Sequence, residues 1–162
     1  MKSFKKIVKL LTKRKEMLAT MESCTGGGVA NAITCVEGAS EVFAFSAVTY
    51  SNDFKIKIGV PKKLIDTYTV YSSEVAQSMA QVITEYAKAD YGIGITGKLN
   101  RADPNNLYGE DNVVFVSIYD KKKDSYTNFK VMATLSSRKK NKELVIQKVV
   151  EQLEEILLSK KG

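Results

Sequence analysis

Apolar residues recur along this chain with two periods, and the switch between them outlines the fold. Phe4, Ile7, Val8 and Leu11 fall three and four apart in a basic segment, which predicts an amphipathic surface helix over about 3–13. Met17 to Met21 is a short apolar run and predicts a strand. The glycines after it open a helix that carries Val29, Ala30 and Ile33. EVFAFSAVTY (41–50) is rich in β-branched and aromatic residues and reads as a strand. SNDFKIKIG gives a short helical turn, and Pro61 suits the first turn of a helix with Leu64 and Ile65. Ser72 or Ser73 can cap a longer helix whose Val75, Met79, Val82 and Tyr86 make one face. YGIGIT (91–96) reads as a buried strand. VVFVSIYD (113–120) and NFKVMATL (128–135) form a strand pair linked by KKKDSYT. Val145, Val149, Leu153 and Ile156 stripe a final helix of about 20 residues.

Helices alternating with strands, followed by a hairpin, predict an α/β three-layer α/β/α sandwich with a mixed, mostly parallel sheet. The 162 residues suit one domain spanning 1–162, without repeats or low-complexity segments. No apolar run approaches the roughly 20 residues of a membrane span, so no membrane partner is expected. The basic start, MKSFKKIVKLLTKRK, lacks a small-residue cleavage site after an apolar core and reads as a helix rather than a targeting peptide. The expected location is the cytoplasm. Cys24 and Cys35 are too few for a disulfide framework and lack the spacing of a zinc site. A net charge of +7 invites a nucleic-acid reading. The lysines and arginines are scattered, however, and no basic run interleaves with aromatics, so a solvated lysine-rich surface is the expectation.

The chain contains no histidine. That removes Ser-His-Asp and Cys-His catalysis and histidine-ligated metals. A nucleophile here needs Lys, Tyr, a carboxylate or a helix N-terminus to activate it, and a lysine serves when its pKa is lowered towards neutrality. MESCTGGGVAN (21–31) places Ser23 and Cys24 at a strand end before a glycine-rich helix start. Ligands bind there in α/β proteins, and unpaired N–H groups at Thr25 to Gly28 suit a phosphate or an oxyanion. A plain strand-to-helix turn with a Ser or Thr cap explains the same residues. Position alone does not choose between Ser23 and Cys24. GIGITGKL (92–99) nearly spells a P-loop, but Leu99 stands where a Ser or Thr should ligate magnesium. The glycines also fall within the expected strand, and a nucleotide-triphosphatase is set aside.

Several segments together resemble one family. They are ESCTGG (22–27), Thr34 to Ser40 with its T-x-x-x-G-A-S pattern, VTYSNDFKIKIGV (48–60), SSEVAQSMA (72–80), the Thr96-Gly97 pair and Arg138. Their order and spacing resemble the CinA C-terminal domain family, the nicotinamide-nucleotide amidases, over roughly residues 5–158. The resemblance implies hydrolysis of the carboxamide of nicotinamide mononucleotide to nicotinate mononucleotide and ammonia, a step of pyridine-nucleotide salvage. No cofactor or metal is expected. The resemblance implies a catalytic set of Ser23, Lys55 and Tyr50, with Thr25, Gly26, Gly27, Thr96, Gly97 and Arg138 binding substrate or oxyanion; Lys98 and Arg101 are expected to join the binding side from the segment where the chain departs from the pattern. Lys55 would take the Ser23 proton, Lys55 or Tyr50 would protonate the departing ammonia, and Cys24 becomes a packed neighbour. It also implies a homodimer or higher homo-oligomer. The family occurs as a single domain and as a fusion, and the start methionine ahead of the first helix favours the single-domain form.

The chain departs from the family pattern at TGKLNRADPNNLYGED (96–111). A Gly-Pro-x-Gly-Gly ligand loop is replaced by a segment in which Lys98 and Arg101 offer side-chain charge. Ser136-Ser137 likewise replaces a Gly-Asp before Arg138. The runner-up expectation is therefore a non-catalytic nucleotide-binding or assembly module that kept the fold and lost the loop.

Overall fold

The computed structural model describes residues 2–99 and 111–159. Five strands form one mixed sheet in the order β2-β1-β3-β4-β5: β1 (Leu18–Glu22), β2 (Ser46–Val48), β3 (Tyr91–Gly97), β4 (Val113–Asp120) and β5 (Ser125–Met132). β1 pairs parallel with β2 and β3, while β4 runs antiparallel to β3 and to β5. Only β4 therefore opposes the common direction. Among the described residues, six α-helices cover the two faces: α1 (Lys5–Arg14), α2 (Gly28–Thr34), α3 (Asn52–Ile58), α4 (Lys62–Tyr68), α5 (Ser73–Ala87) and α6 (Arg138–Ser159). None of the described helices is long and apolar enough to cross a membrane.

The side-chain alternation of β1 divides the core in two. Leu18 faces the cluster built with Ile7 and Leu11 of α1, Val29 of α2 and Val145, Val149 and Leu153 of α6. Ala19 and Met21 face the opposite cluster, with Ile65 of α4 and Val75, Met79 and Ile83 of α5. Continued past Glu22, the same alternation sends Ser23 towards α3 and Cys24 into the α1–α6 core, where it is buried.

α5 lies directly on β3, and the glycines of β3 are the reason. A methyl group on Gly94 would come 2.2 Å from the Ala76 carbonyl oxygen, and one on Gly92 would come 1.8 Å from Thr84 Oγ1. These glycines are packing surfaces for a helix, which closes the P-loop reading on geometry as well as on sequence. Ser72 caps α5 by accepting the Val75 N–H, and the buried face runs through Val75, Ala76, Met79, Ala80 and Ile83. Tyr86, assigned to that face from the sequence, is exposed and stacks on Phe45.

Two other expectations shift. Of the 41–50 strand only Ser46–Val48 pairs, because Gly38 (φ 86) opens a 3-10 turn at Ala39–Glu41. Val42 is then held in the core, its carbonyl accepting the Leu18 N–H. The β4–β5 connection is also shorter than KKKDSYT: Asp120 pairs with Ser125, and Asp124 takes a left-handed φ of 47. The Asp124 carboxylate accepts a hydrogen bond from the Tyr119 hydroxyl, which anchors this turn.

Candidate active site

The site forms where β1 and β2 end. Ser23 follows β1 and donates its N–H to Ile95 of β3 at 2.9 Å, fixing it at the carboxyl edge of the sheet. Thr49, just past β2, is tied to the same edge by its N–H bond to the Glu22 carbonyl. The chain then turns into α3, capped by the Ser51 hydroxyl accepting the Phe54 N–H. One residue further, Lys55 turns inward: Nζ donates to Ser23 Oγ at 3.0 Å and to the Thr49 carbonyl at 2.7 Å. Lys55 is 1% exposed, whereas its neighbour Phe54 is 55% exposed. A short helix that buries its lysine and exposes its phenylalanine inverts the ordinary partition, and such an inversion marks chemistry rather than packing.

Glu22, the last residue of β1, was absent from the sequence-derived set. It is fully buried, and its carboxylate accepts the Thr25 hydroxyl at 2.6 Å, the Val29 N–H at 2.8 Å and the Ala30 N–H at 3.0 Å. It thereby satisfies the opening amides of α2 and pins the glycine turn against the sheet. A carboxylate at a strand end, with a turn and a helix start after it, was the available signal.

Within the turn, Gly26 (φ 61) donates its N–H to the Ser23 carbonyl, and Gly28 donates to that of Thr25. Thr25 and Gly27 (φ 95) keep N–H groups with no acceptor among the described residues. The positive φ values explain the glycines here, because side chains rarely adopt them. The Thr25 hydroxyl is committed to Glu22, so this residue can offer a ligand only its backbone.

Cys24 is the alternative nucleophile. Burial pushes its thiol up to about 12, against the opposing pull of the Lys55 charge. A thiol that holds its proton so firmly is a poor nucleophile at neutral pH.

The remaining predicted residues divide. Tyr50 is 63% exposed, and its hydroxyl accepts from Arg138 Nη2 at 3.3 Å. Arg138 also donates to the Leu99 carbonyl, so the pair forms a rim between β2, β3 and α6 rather than touching the Ser23–Lys55 contact. Thr96 donates its hydroxyl to the Val70 carbonyl, and a methyl on Gly97 would meet the Val113 oxygen at 2.5 Å. Lys98 is buried, with Nζ 3.3 Å from the Asp111 carboxylate and 4.7 Å from the centre of the Tyr71 ring. The side chains of Thr96 and Lys98 serve the fold's own contacts, and Gly97 leaves room for the neighbouring strand. Arg101 lies outside the described residues. Among the described residues no cluster of three His, Cys, Asp or Glu side chains could hold a metal ion.

The fold is that of a known class. The CinA C-terminal domain profile matches residues 1–157, and the chain belongs to that family. A CinA-like protein of Desulfovibrio desulfuricans is 46% identical over 92 residues, covering 56% of this chain and 22% of that protein. A CinA-like protein of Flavobacterium psychrophilum is 37% identical over 113 residues, 68% of this chain and 26% of that protein. The match thus spans about a quarter or less of the length of these relatives. Among solved structures, a competence-damaged protein (CinA) superfamily protein from Escherichia coli superposes with a TM-score of 0.82 at 25% identity, over 94% of this chain and 87% of that one. The competence damage-inducible protein A from Klebsiella pneumoniae reaches 0.84 at 20% identity, over 99% and 100%, and bears on the fold alone.

Proposed function

We propose that this protein is a serine-lysine amidohydrolase that hydrolyses the carboxamide of nicotinamide mononucleotide or a close relative. The carrying observation is the 3.0 Å contact between Lys55 Nζ and Ser23 Oγ, buried at a strand end in a chain without histidine. With Lys55 neutral, the contact reverses and the Ser23 hydroxyl donates to Nζ. Ser23 Oγ then attacks the amide carbon as Lys55 takes its proton. The N–H groups of Thr25 and Gly27 are the available donors for the oxyanion, each worth about 3–4 kcal/mol in comparable sites. Collapse breaks the C–N bond, and the Lys55 proton leaves with ammonia. Water next attacks the ester, Lys55 accepts its proton and returns it to Ser23, and the carboxylate departs. Tyr50 and Arg138 would orient the substrate at the rim. The reaction as written needs no cofactor, and we place it in the cytoplasm, with a homo-oligomer as the family resemblance implies.

The test is ammonia release from nicotinamide mononucleotide by the pure protein. Ser23→Ala and Lys55→Met should each lower kcat by ~10³-fold or more at nearly unchanged Tm. No release from any of a panel of pyridine nucleotides and small amides would sink the proposal. The engaged state of Thr96, Gly97 and Lys98 favours one second reading, a nucleotide-binding module without turnover. Thermal stabilisation by the nucleotide without ammonia would select it.

A further inference from the structure

Three hydroxyls among the described residues are buried without a hydrogen-bond partner: Thr20 Oγ1, Thr49 Oγ1 and Ser117 Oγ. Such groups are rare in a folded chain, and each calls for a cause. Thr20 lies inside β1 and Ser117 inside β4. Thr49 stands elsewhere, at the strand end where Ser23 and Lys55 meet. Glu22 pairs with Val48, and the Thr49 N–H bond to the Glu22 carbonyl carries the ladder one residue past β2. Ser23 and Thr49 are therefore cross-strand neighbours. Ala47, two residues before Thr49, packs in the α4–α5 cluster, so strand alternation gives Thr49 the same face as Ser23. Thr49 is 2% exposed, and its carbonyl accepts from Lys55 Nζ at 2.7 Å.

We propose that Thr49 is a positioning residue whose hydroxyl holds the water that hydrolyses the acyl-enzyme. This assignment rests on the serine-lysine reading of the site for the ester that the water attacks. Neighbouring strands lie about 4.8 Å apart, a gap that one water spans with two hydrogen bonds of about 2.8 Å. A water donating one proton to Thr49 Oγ1 keeps its other proton for Lys55 and a lone pair for the ester carbon on Ser23. Its oxygen bonds to that carbon as the second proton passes to neutral Lys55. Collapse breaks the bond to Ser23 Oγ, which takes this proton back, and the acid product releases the remaining proton to solvent. Formation of the ester does not use this water, so the hydroxyl acts on the second half-reaction alone. Valine keeps the shape of threonine and removes the acceptor.

The experiment uses p-nitrophenyl acetate, an activated ester whose leaving group needs no proton from the enzyme. Acetylation of Ser23 is followed by intact mass, with Ser23→Ala as the blank, and its loss is timed after excess ester is removed. Thr49→Val should lengthen the acetyl-enzyme lifetime ~10–100-fold while the rate of the p-nitrophenolate burst stays within about twofold. Thr49→Ser should restore most of the deacylation rate. Ser117→Ala, which removes an unpartnered hydroxyl from β4, should leave it unchanged. Tm should hold in Thr49→Val, since this hydroxyl bonds no other group of the described residues. An unchanged lifetime in Thr49→Val, a burst that slows in proportion, or a Thr49→Ser protein as slow as Thr49→Val would overturn the proposal, even where ammonia is released from an amide. No acetylation of Ser23 in the wild type would overturn it together with the serine-lysine reading. Thr49-dependent deacylation without ammonia from any amide would leave this assignment standing while removing the amide as substrate.

Discussion

The chain has two glycine-rich segments that look alike as text and differ as structure. TGGG (25–28) and GIGITG (92–97) each succeed or form a strand at the middle of the sheet, and each resembles a phosphate-binding loop. In the first, two glycines adopt positive φ, the N–H groups of Thr25 and Gly27 are left over, and a buried carboxylate holds the turn in place. In the second, the glycines are ordinary extended residues, and what they lack is space. Glycine is thus used for backbone freedom in one case and for the closeness of a helix in the other. Among the described residues, the first use leaves N–H groups without an acceptor. The neighbouring helix sets the difference: α2 starts directly after the first segment, whereas α5 presses a face of small residues onto the second.

Substitutions at the two segments should therefore fail in different ways. Gly94→Ala forces a methyl to within 2.2 Å of the Ala76 carbonyl and 2.6 Å of the Ala80 amide. Both are backbone atoms and cannot swing aside. The expected cost is about 3 kcal/mol or more, a fall in Tm of roughly 5–10 °C, with kcat per folded molecule retained at low temperature. A loss of kcat without a loss of Tm would erase the contrast. Glu22→Gln comes next. The amide nitrogen cannot accept, so one of the three donors now bound by the carboxylate goes unsatisfied, at about 1–3 kcal/mol. Because those donors position the glycine turn, kcat should fall with Tm; full activity in the folded variant would reduce Glu22 to a purely structural role. Gly27→Ala meets only Val48 Cγ2, at 3.4 Å, so its cost is backbone strain of about 1–2 kcal/mol. Its stability loss should be smaller than that of Gly94→Ala and its activity loss larger, read from the same melting and ammonia assays.

Hydrophobic periodicity carried the architecture, because the strands of the sheet's centre and the long helices bury one consistent face. α1, β1, β3, β4 and α6 all fall within a few residues of their expected places. The failures sit where a local backbone choice decides. Asp124 at positive φ shortens the hairpin; Asp tolerates that conformation, but the reading of KKKDSYT as one linker passed over it. Val42 and Phe43 satisfy their hydrophobicity by packing in the core rather than by extending β2. At the site, strand alternation alone assigns Ser23 and Cys24 to opposite faces, so the pair was partly legible. Lys55 was not legible from helical spacing, since in α3 it is the single buried residue and the pattern FKIKI reads as an ordinary surface. Its proposed role rests on the resemblance carried by ESCTGG and YSN-x-x-K, and its geometry on the contact with Ser23.

The smallest effect concerns the residue beside Ser23. Cys24 is buried and Cys35 is exposed, so a thiol reagent near neutral pH should label one cysteine in the folded protein and both in denaturant. The same burial has a thermodynamic signature of fixed sign. The folded Cys24 thiol is pushed from 9.0 up to about 12, so between those values the unfolded chain releases a proton that the folded chain retains. Stability should therefore be fully present below pH 9.0 and decline towards pH 12, with a slope from this group of at most ~1.4 kcal/mol per pH unit. Cys24→Ala should flatten that part of the alkaline melting profile. An unchanged slope, or equal labelling of both cysteines in the native state, would show that the glycine turn opens the core beside Ser23. The line drawn between a rigid donor turn and a closed packing surface would then no longer hold.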